Sequence, residues 1–533
     1  MSTTGSFKAV AKEFEGEQAV DADVIIVGAG PAGLMLAGEL QLAGVRPLVL
    51  ERNPQSRETP KAHGIGGQIL ELLRYRGLLD RVAEAATGPM PAPRFPFGGV
   101  HLDFTQLEES PMQAFPIPQA RLERLLAERF AELGGAVRRG HEVVGVSQDG
   151  DTVTAEVQGP EGAYQVTARY LVGCDGGRSR IRNLVGIPFP GTSYPEVNRL
   201  ATVTMPDSVT TFENGDLNVP DVGRVSLGFN HTEGGTFALG PLVDGVVSFQ
   251  TTEEDPTEVD DDVPLTMSEL QDSIRRVLGV DLPLGEPLRL SRYQFQARQA
   301  ERYRDGRIML AGDAAHMLPA TGTAINVGMQ DSVNLAWKLA AAVHGWAPAD
   351  LLDSYHDERH FAGGRALLQT QSQVALRRGL DSAAEALREL FQELLRDEQA
   401  LRRMGALVGA DIRYPSSGQH PLTGAFAPNL TLHTEQGTTS VAELMHTARP
   451  VFLDLADRPE LREIVRDWHD RIDLHVAKSE DRPADAILIR PDAHIAWAAT
   501  GDESVDAAAL RDALTHWFGA PRQATAPTSD RPA

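Results

Sequence analysis

Val24-Ile25-Ile26-Val27-Gly28-Ala29-Gly30-Pro31-Ala32-Gly33 decides the fold: four β-branched apolar residues, the pattern of a buried strand, run directly into a glycine-rich turn. In a dinucleotide-binding turn the first glycine allows the tight bend, the second lets backbone approach a pyrophosphate, and the third lets the next helix pack on the sheet. Gly28, Gly30 and Gly33 stand at those places. A helix from Ala32 to Leu42 then aims its N-terminal N–H groups at the phosphates. A second strand, Arg46 to Leu50, ends at Glu51, with Arg52 beside it, close to the spacing of roughly 20 residues expected for a carboxylate on a ribose hydroxyl. The order predicts an α/β fold with a Rossmann-like domain that binds an adenine dinucleotide near the N-terminus.

Composition bounds the rest. A chain of 533 residues, 42% hydrophobic, is long enough for several full cores. Asp and Glu total 74 against 50 Lys and Arg, a formal charge of −24 with no concentrated basic block, which disfavours nucleic acid or an anionic membrane as partner. Cys174 is the only cysteine, so internal disulfides, cysteine-ligated metals and CxxC redox cycles are excluded, and a cytoplasmic location is expected. The first twenty residues lack an apolar h-region and read as a flexible arm. The best apolar run, Val24 to Gly38, is shorter than the roughly 20 residues a bilayer requires.

The pattern divides the chain into an arm, 1–20; a first part of the nucleotide-binding domain, 21–193; an inserted sheet domain, 194–292; a return to the first domain with helices, 293–404; a C-terminal unit, 405–520; and a low-complexity tail, 521–533, expected to be disordered. Alternation at Glu142 to Val146, Val153 to Val157 and Tyr164 to Ala168 predicts a meander before a buried strand, Tyr170 to Cys174. A long amphipathic run is expected from Glu358 to Met404. In the C-terminal unit the strands Val451 to Leu455, Ala486 to Arg490 and His494 to Ala498, with helices Pro459 to Arg466 and Ala507 to Trp517, resemble a thioredoxin-like module without a CxxC pair.

Two further motifs sharpen the reading. One is Cys174-Asp175-Gly176-Gly177-Arg178-Ser179 with Arg182 after it; the other is Arg307-Ile308-Met309-Leu310-Ala311-Gly312-Asp313-Ala314-Ala315-His316, continuing through Asn326, Gln330-Asp331 and Asn334-Leu335-Ala336-Trp337-Lys338. With the first fingerprint they resemble the three signatures of the single-component FAD-dependent aromatic hydroxylases over about residues 21 to 400, and the C-terminal unit resembles that of the branch acting on aromatic polyketides.

The resemblance implies noncovalent FAD held by Gly28, Gly30, Ala32, Gly33, Glu51, Arg52, Lys61, Gln119 and Val143, by Asp175, Gly312 and Asp313, and by the loop Thr323, Ala324, Ile325 and Asn326. Arg182 and Lys61 are candidates for guiding a nicotinamide cofactor or the flavin phosphates, and the Asp175-Gly176 turn has a capping turn as its alternative. His316 is read as packing and hydrogen-bonding locally, not as a base. The family commonly has Arg where this chain has Lys61-Ala62-His63-Gly64, a point charge in place of a bidentate fork. Likewise its Gly-Gly-Gln-Gly-x-Asn run is Thr321-Gly322-Thr323-Ala324-Ile325-Asn326 here, without the glutamine.

The activity implied is hydroxylation, through a flavin C4a-hydroperoxide and with NADPH and O2, of a phenolic polycyclic polyketide in antibiotic-type metabolism, by a monomer or homodimer. The pocket is expected between the inserted sheet and the flavin, with Met205, Phe229, Phe237, Tyr293 and Phe295 as substrate candidates. A Baeyer-Villiger or ring-opening oxygenase and a non-catalytic flavin- or polyketide-binding protein are the alternatives. No metal-ligand spacing is present.

Overall fold

The computed structural model describes residues 20–56, 62, 64–86, 90–91, 94–243, 245–254, 263–319, 322–379, 381–416, 420–501 and 507–521. The N-terminal arm, nearly all of the tail, Lys61, Thr321 and the side chain of Phe229 lie outside the described residues.

The opening strand, Ala22–Val27, pairs in parallel with Pro47–Glu51 on one side and with Gly162–Gly173 on the other. Ile308–Leu310 and Val137–Arg139 extend the parallel sheet outward. Val24, Ile25 and Ile26 are fully buried, as a strand covered on both faces requires. The meander's third strand and the buried strand expected after it are one element, Gly162–Gly173. Its first part pairs antiparallel with Val153–Gly159 and its end runs parallel beside Ala22–Val27. Its sequence therefore alternates first and becomes continuously apolar later.

A second, six-stranded sheet runs in the order Gly228–Thr232, Gly235–Leu239, Val246–Glu254, Gly191–Thr204, Pro287–Gln299, His316–Met317. The helix Met267–Leu278 covers one face, where Ala201, Val203, Phe237, Phe249, Leu270 and Ile274 form a core. Thr266 caps this helix by accepting from the Glu269 N–H at 3.2 Å, and Gly279, at φ 74°, ends it. The opposite face is polar and is met by the end of the helix Asp353–Arg378. The predicted amphipathic run is broken into Asp353–Arg378, Ser382–Leu394 and Glu398–Val408, because Asp381 and Asp397 cap new helices by accepting from Ala384 N and Ala400 N, each at 2.9 Å.

The C-terminal sheet has the order Asp473–Val476, Val451–Asp454, Ala486–Ile489, Ile495–Ala499, the first pair parallel and the others antiparallel. On one face Val451, Leu453, Ile487 and Ile489 belong to the same continuous core as Ile25 and Leu73. On the other, Phe452 and Leu488 pack with Leu510, Leu514 and Trp337. Tyr75 donates its hydroxyl to the Ala427 carbonyl at 2.7 Å, and Arg76 pairs with Glu39 at 2.8 Å while donating to the Pro491 carbonyl at 2.6 Å. Among the described residues no helix is long and apolar enough to cross a membrane.

Candidate active site

The glycines of the first turn differ in what surrounds them. A β-carbon on Gly28, at φ 106°, would lie 2.4 Å from the Cys174 carbonyl oxygen, and one on Gly33 would lie 2.1 Å from the Gly28 oxygen. These two glycines exist for close packing. In front of Gly30 there is nothing within 4 Å. Gly30 is also the N-cap of the helix Pro31–Leu42, which has no side-chain cap and no acid in its first turn, so its N–H groups face that space uncompensated. Glu51 closes the turn, accepting from Ala29 N and Asn53 N, each at 2.8 Å. His141 N donates to the Glu51 carbonyl at 3.0 Å, which brings the strand carrying buried Val143 beside the same acid. Arg52 is exposed next to it.

A second helix N-terminus converges on the first. The helix Ala324–Val343 starts after Thr323, again with no side-chain cap and no acid in its first turn. The two helices meet at Gly312, whose β-carbon would touch that of Ala32 at 3.1 Å and the Gly328 Cα at 3.9 Å, and Ser332 ties them by donating to the Ala32 carbonyl at 2.7 Å. Between the two helix ends the short turn Gly312–Ala314 presents Asp313 to solvent.

Buried groups hold this turn from behind. Asp331 accepts from Gly312 N at 3.0 Å, from His316 Nε2 at 2.7 Å and from Arg359 Nε at 2.7 Å. Burial alone would raise the Asp331 pKa, but attraction to His316 and Arg359 and their hydrogen bonds prevail and hold the carboxylate below its ordinary range. His316 is thus engaged in a buried local bond. Arg182, expected to greet a nicotinamide, is instead buried: it donates to the carbonyls of Ala314 at 2.9 Å and Gly177 at 2.8 Å, and its guanidinium lies 3.7 Å over the Phe189 ring. These two bonds shape the turn, while its buried Nε has no hydrogen-bond partner. Ser179 caps the helix Arg180–Leu184, and Asp175 Oδ2 adds to it by accepting from Arg180 N at 2.7 Å and Ile181 N at 3.1 Å. Its buried Oδ1 has no hydrogen-bond partner, which suits a ligand hydroxyl. Burial pushes the Cys174 thiol up, so it stays protonated.

The remaining loop residues gather on the same side. Gln119 locks the segment before the glycines: its N–H donates to the Ala62 carbonyl at 3.0 Å and its Oε1 accepts from Ala62 N at 3.1 Å. Asn326 accepts from Gly66 N at 3.3 Å and donates to the Gly322 carbonyl at 3.2 Å. Thr323 accepts from Gln369 at 2.8 Å, and Gln369 accepts from Gln373 at 2.6 Å one turn further along the helix Asp353–Arg378. This ladder leads to Arg377, 3.5 Å from Thr252 Oγ1 and 5.8 Å over the Phe295 ring, on the polar face of the six-stranded sheet.

On that face Tyr293 donates to Gln250 at 3.1 Å, Gln250 donates to Asn198 at 2.8 Å, and the Tyr293 and Phe295 rings lie 5.8 Å apart. Arg289 points its field at Tyr293 and has a buried Nε without a hydrogen-bond partner. Strand parity separates the sequence candidates: Tyr293 and Phe295 are on this face, whereas Met205 and Phe237 are in the core beneath the helix on the other. Asn198, Gln250, Arg289 and Arg377 were not singled out in advance, since a polar residue at an inward strand or helix position carries no periodic mark, and Asp331 was quoted within a motif without a role.

The cradle fits FAD: an open approach at Gly30, two uncompensated helix N-termini for a pyrophosphate, a carboxylate at the ribose position and an orphaned acceptor at Asp175. A family model described as an FAD binding domain matches residues 21–370, and one described as aromatic-ring hydroxylase, C-terminal, matches residues 420–521. The chain belongs to the FAD-dependent aromatic-ring hydroxylases. This hydroxylase is 41% identical over 508 residues to the 12-dehydrotetracycline 5-monooxygenase/anhydrotetracycline 6-monooxygenase of Streptomyces rimosus, covering 94% of this chain and 99% of that one. It is 38% identical over 511 residues to the dialkyldecalin synthase of Streptomyces rugosporus, covering 93% and 98%. An aromatic hydroxylase from angucycline biosynthesis matches the hydroxylase with a TM-score of 0.83 and 39% identity over 94% of this chain and all of that one.

Proposed function

We propose that the chain hydroxylates a phenolic, multi-ring aromatic polyketide in antibiotic-type biosynthesis, using noncovalent FAD, NADPH and O2. The observation that carries the reading is the convergence of two uncapped helix N-termini at Gly312, joined by the Gln369 and Gln373 ladder to a polar, arginine-bearing sheet face. Bound FAD would supply the chemistry, hydride acceptance from the nicotinamide and activation of O2.

The chain's own residues bind and orient. Backbone N–H groups after Gly30 and Thr323 meet anionic groups, Glu51 and Asp313 accept from sugar and ribityl hydroxyls, and Gln119 with Asn326 fixes the loop facing the ring. Burial lowers the pKa of both Arg289 and Arg377, yet both stay cationic, while it raises that of Tyr293, which stays a donor. Their combined field favours a phenol that ionises on binding and so becomes more electron-rich at carbon. Lys61, outside the described residues, is kept as a phosphate contact.

The C-terminal unit, 405–520, is read as thioredoxin-like on the strength of its strand order, and without thiol chemistry because Cys174 lies outside it. The division at 21–193, 194–292 and 293–404, the cytoplasmic location and a monomeric or homodimeric state belong to the same proposal. The relative named a dialkyldecalin synthase favours a second reading, in which the scaffold builds a ring system instead of hydroxylating one.

The test is stopped-flow flavin reduction by NADPH with and without phenolic polyketides, followed by mass analysis. Accelerated reduction and a product heavier by one oxygen are expected. Turnover of a polyketide with no mass gain supports the second reading, and no acceleration across a broad panel overturns the hydroxylase assignment.

A further inference from the structure

Behind the flavin-side turn lies a buried ionic network that is far larger than holding Gly312 requires. Asp331, Asn334 and Lys338 project from one face of the helix Ala324–Val343, and Glu358 and Arg359 come from the helix Asp353–Arg378. Arg490 and Asp492 come from the turn between two strands of the C-terminal sheet, and Tyr414 comes from the stretch of that unit before its first strand. Lys338 donates to Glu358 at 2.7 Å, Arg490 clasps Glu358 and Asp492, and Asn334 donates to Glu358 at 2.8 Å and to Asp492 at 2.9 Å. Arg359, already on Asp331, donates to the Tyr414 hydroxyl at 2.9 Å, which also lies 3.4 Å from Asn334 Nδ2.

The six charged groups are three carboxylates and three cations, all buried, so removing any one strands an uncompensated charge in the interior. The segment before Tyr414 makes a second link. Gly409 accepts from Gln68 N at 2.9 Å so closely that a β-carbon on Gly67 would lie 2.0 Å from its oxygen, and Ala410 accepts from Gln330 at 3.3 Å. The neighbouring Gly66 N is the donor to Asn326.

We infer that the C-terminal unit is a positioning element of the flavin site, acting through Tyr414 and Arg359 on Asp331 and so on the Gly312 backbone. None of its residues needs to touch the cofactor. Arg490 and Asp492 fix Asn334 and Glu358, Tyr414 transmits their placement to Arg359, and Arg359 orients the carboxylate that receives the Gly312 N–H.

Tyr414→Phe removes one hydroxyl and no charge. With the full chain, FAD affinity is read by flavin fluorescence titration and the stability of the apoprotein by thermal melting. The expected result is a raised FAD dissociation constant, by no more than about 10-fold, since one hydrogen bond is lost and only part of its worth reaches the Gly312 turn. Combining Tyr414→Phe with Asp331→Asn should give less than the product of the two single effects, whereas combining it with Asp313→Ala should give the product. Should Asp331→Asn fail to fold, Arg359→Lys replaces it in the cycle. A residue that only stabilises the fold would shift the melting temperature and leave both combinations multiplicative. Unchanged FAD affinity in folded Tyr414→Phe, or a multiplicative effect with the Asp331 or Arg359 variant, overturns the inference.

Discussion

Gly30 and Gly33 are three residues apart and serve different ends, which makes them separable by mutation. A β-carbon at Gly30 meets no protein atom within 4 Å and the residue sits at φ −76°, an ordinary value, so Gly30→Val should fold and melt normally but purify without flavin absorbance. Gly33→Ala places a β-carbon 2.1 Å from backbone oxygen and should lower stability by about 1–3 kcal/mol, read by thermal or denaturant unfolding. Asp313→Ala should weaken FAD by about 1.5–3 kcal/mol, the value of a charge-assisted bond, measured by titration; unchanged affinity would remove Asp313 from the site. The glycines and Glu51 were legible in the sequence because their roles depend on position within a short turn. Arg182 was not, since a sequence shows that a cation is present but not that it turns inward to two carbonyls. Asp331 sat inside a recognised motif, yet nothing local marks a helical aspartate as the acceptor for a backbone N–H nineteen residues away.

The strands of the inserted sheet carry their information in parity. Phe237 and Tyr293 are both aromatic and both on this sheet, but one belongs to the core under a helix and the other to the polar face. Phe237→Ala should therefore cost about 3–5 kcal/mol of stability. Tyr293→Phe should leave the melt nearly unchanged and raise the KM for the phenolic substrate, a split that steady-state kinetics beside calorimetry resolves. Existence and order of most elements could be read from period and caps. The break at Asp381 was also written in the sequence, as a capping residue after Gly379, but continuous amphipathicity on both sides masked it. Asp473–Val476, an edge strand of Asp-Leu-His-Val, was missed because its alternation spans only four residues with two apolar ones. Its existence depends on pairing with Val451–Asp454, a tertiary fact.

Across the whole molecule the C-terminal unit shares a core with the nucleotide-binding sheet, and the shared ions respond to acid. Burial opposes ionisation of Glu358 and Asp492, but Arg490 with Lys338, and Arg490 with His494, outweigh it and keep both carboxylates, like Asp331, below their ordinary range. Groups depressed in the folded state add stability that is present above the unfolded value of about 4 and is lost as pH falls through the folded values. Burial lowers the His494 pKa, so thermal melts should begin to fall below the ordinary histidine value of about 6.5 and drop steeply below about pH 4, with a shallower acid limb in any Asp492→Asn chain that folds. A chain ending after Tyr414 uncovers Val451's partners in the central core and takes Arg490 from Glu358, leaving it Lys338 and Asn334, so it should be insoluble instead of merely less active; recovery of a soluble, flavin-bound truncation would contradict the shared core. The six balanced charges also govern recombination. Exchanging C-terminal segments among relatives will not behave as swapping cassettes, because Arg490 and Asp492 on the donated piece and Lys338, Glu358, Arg359 and Asp331 on the recipient form one inherited set; a crossover that splits a mismatched set gives two well-formed halves that cannot close on each other.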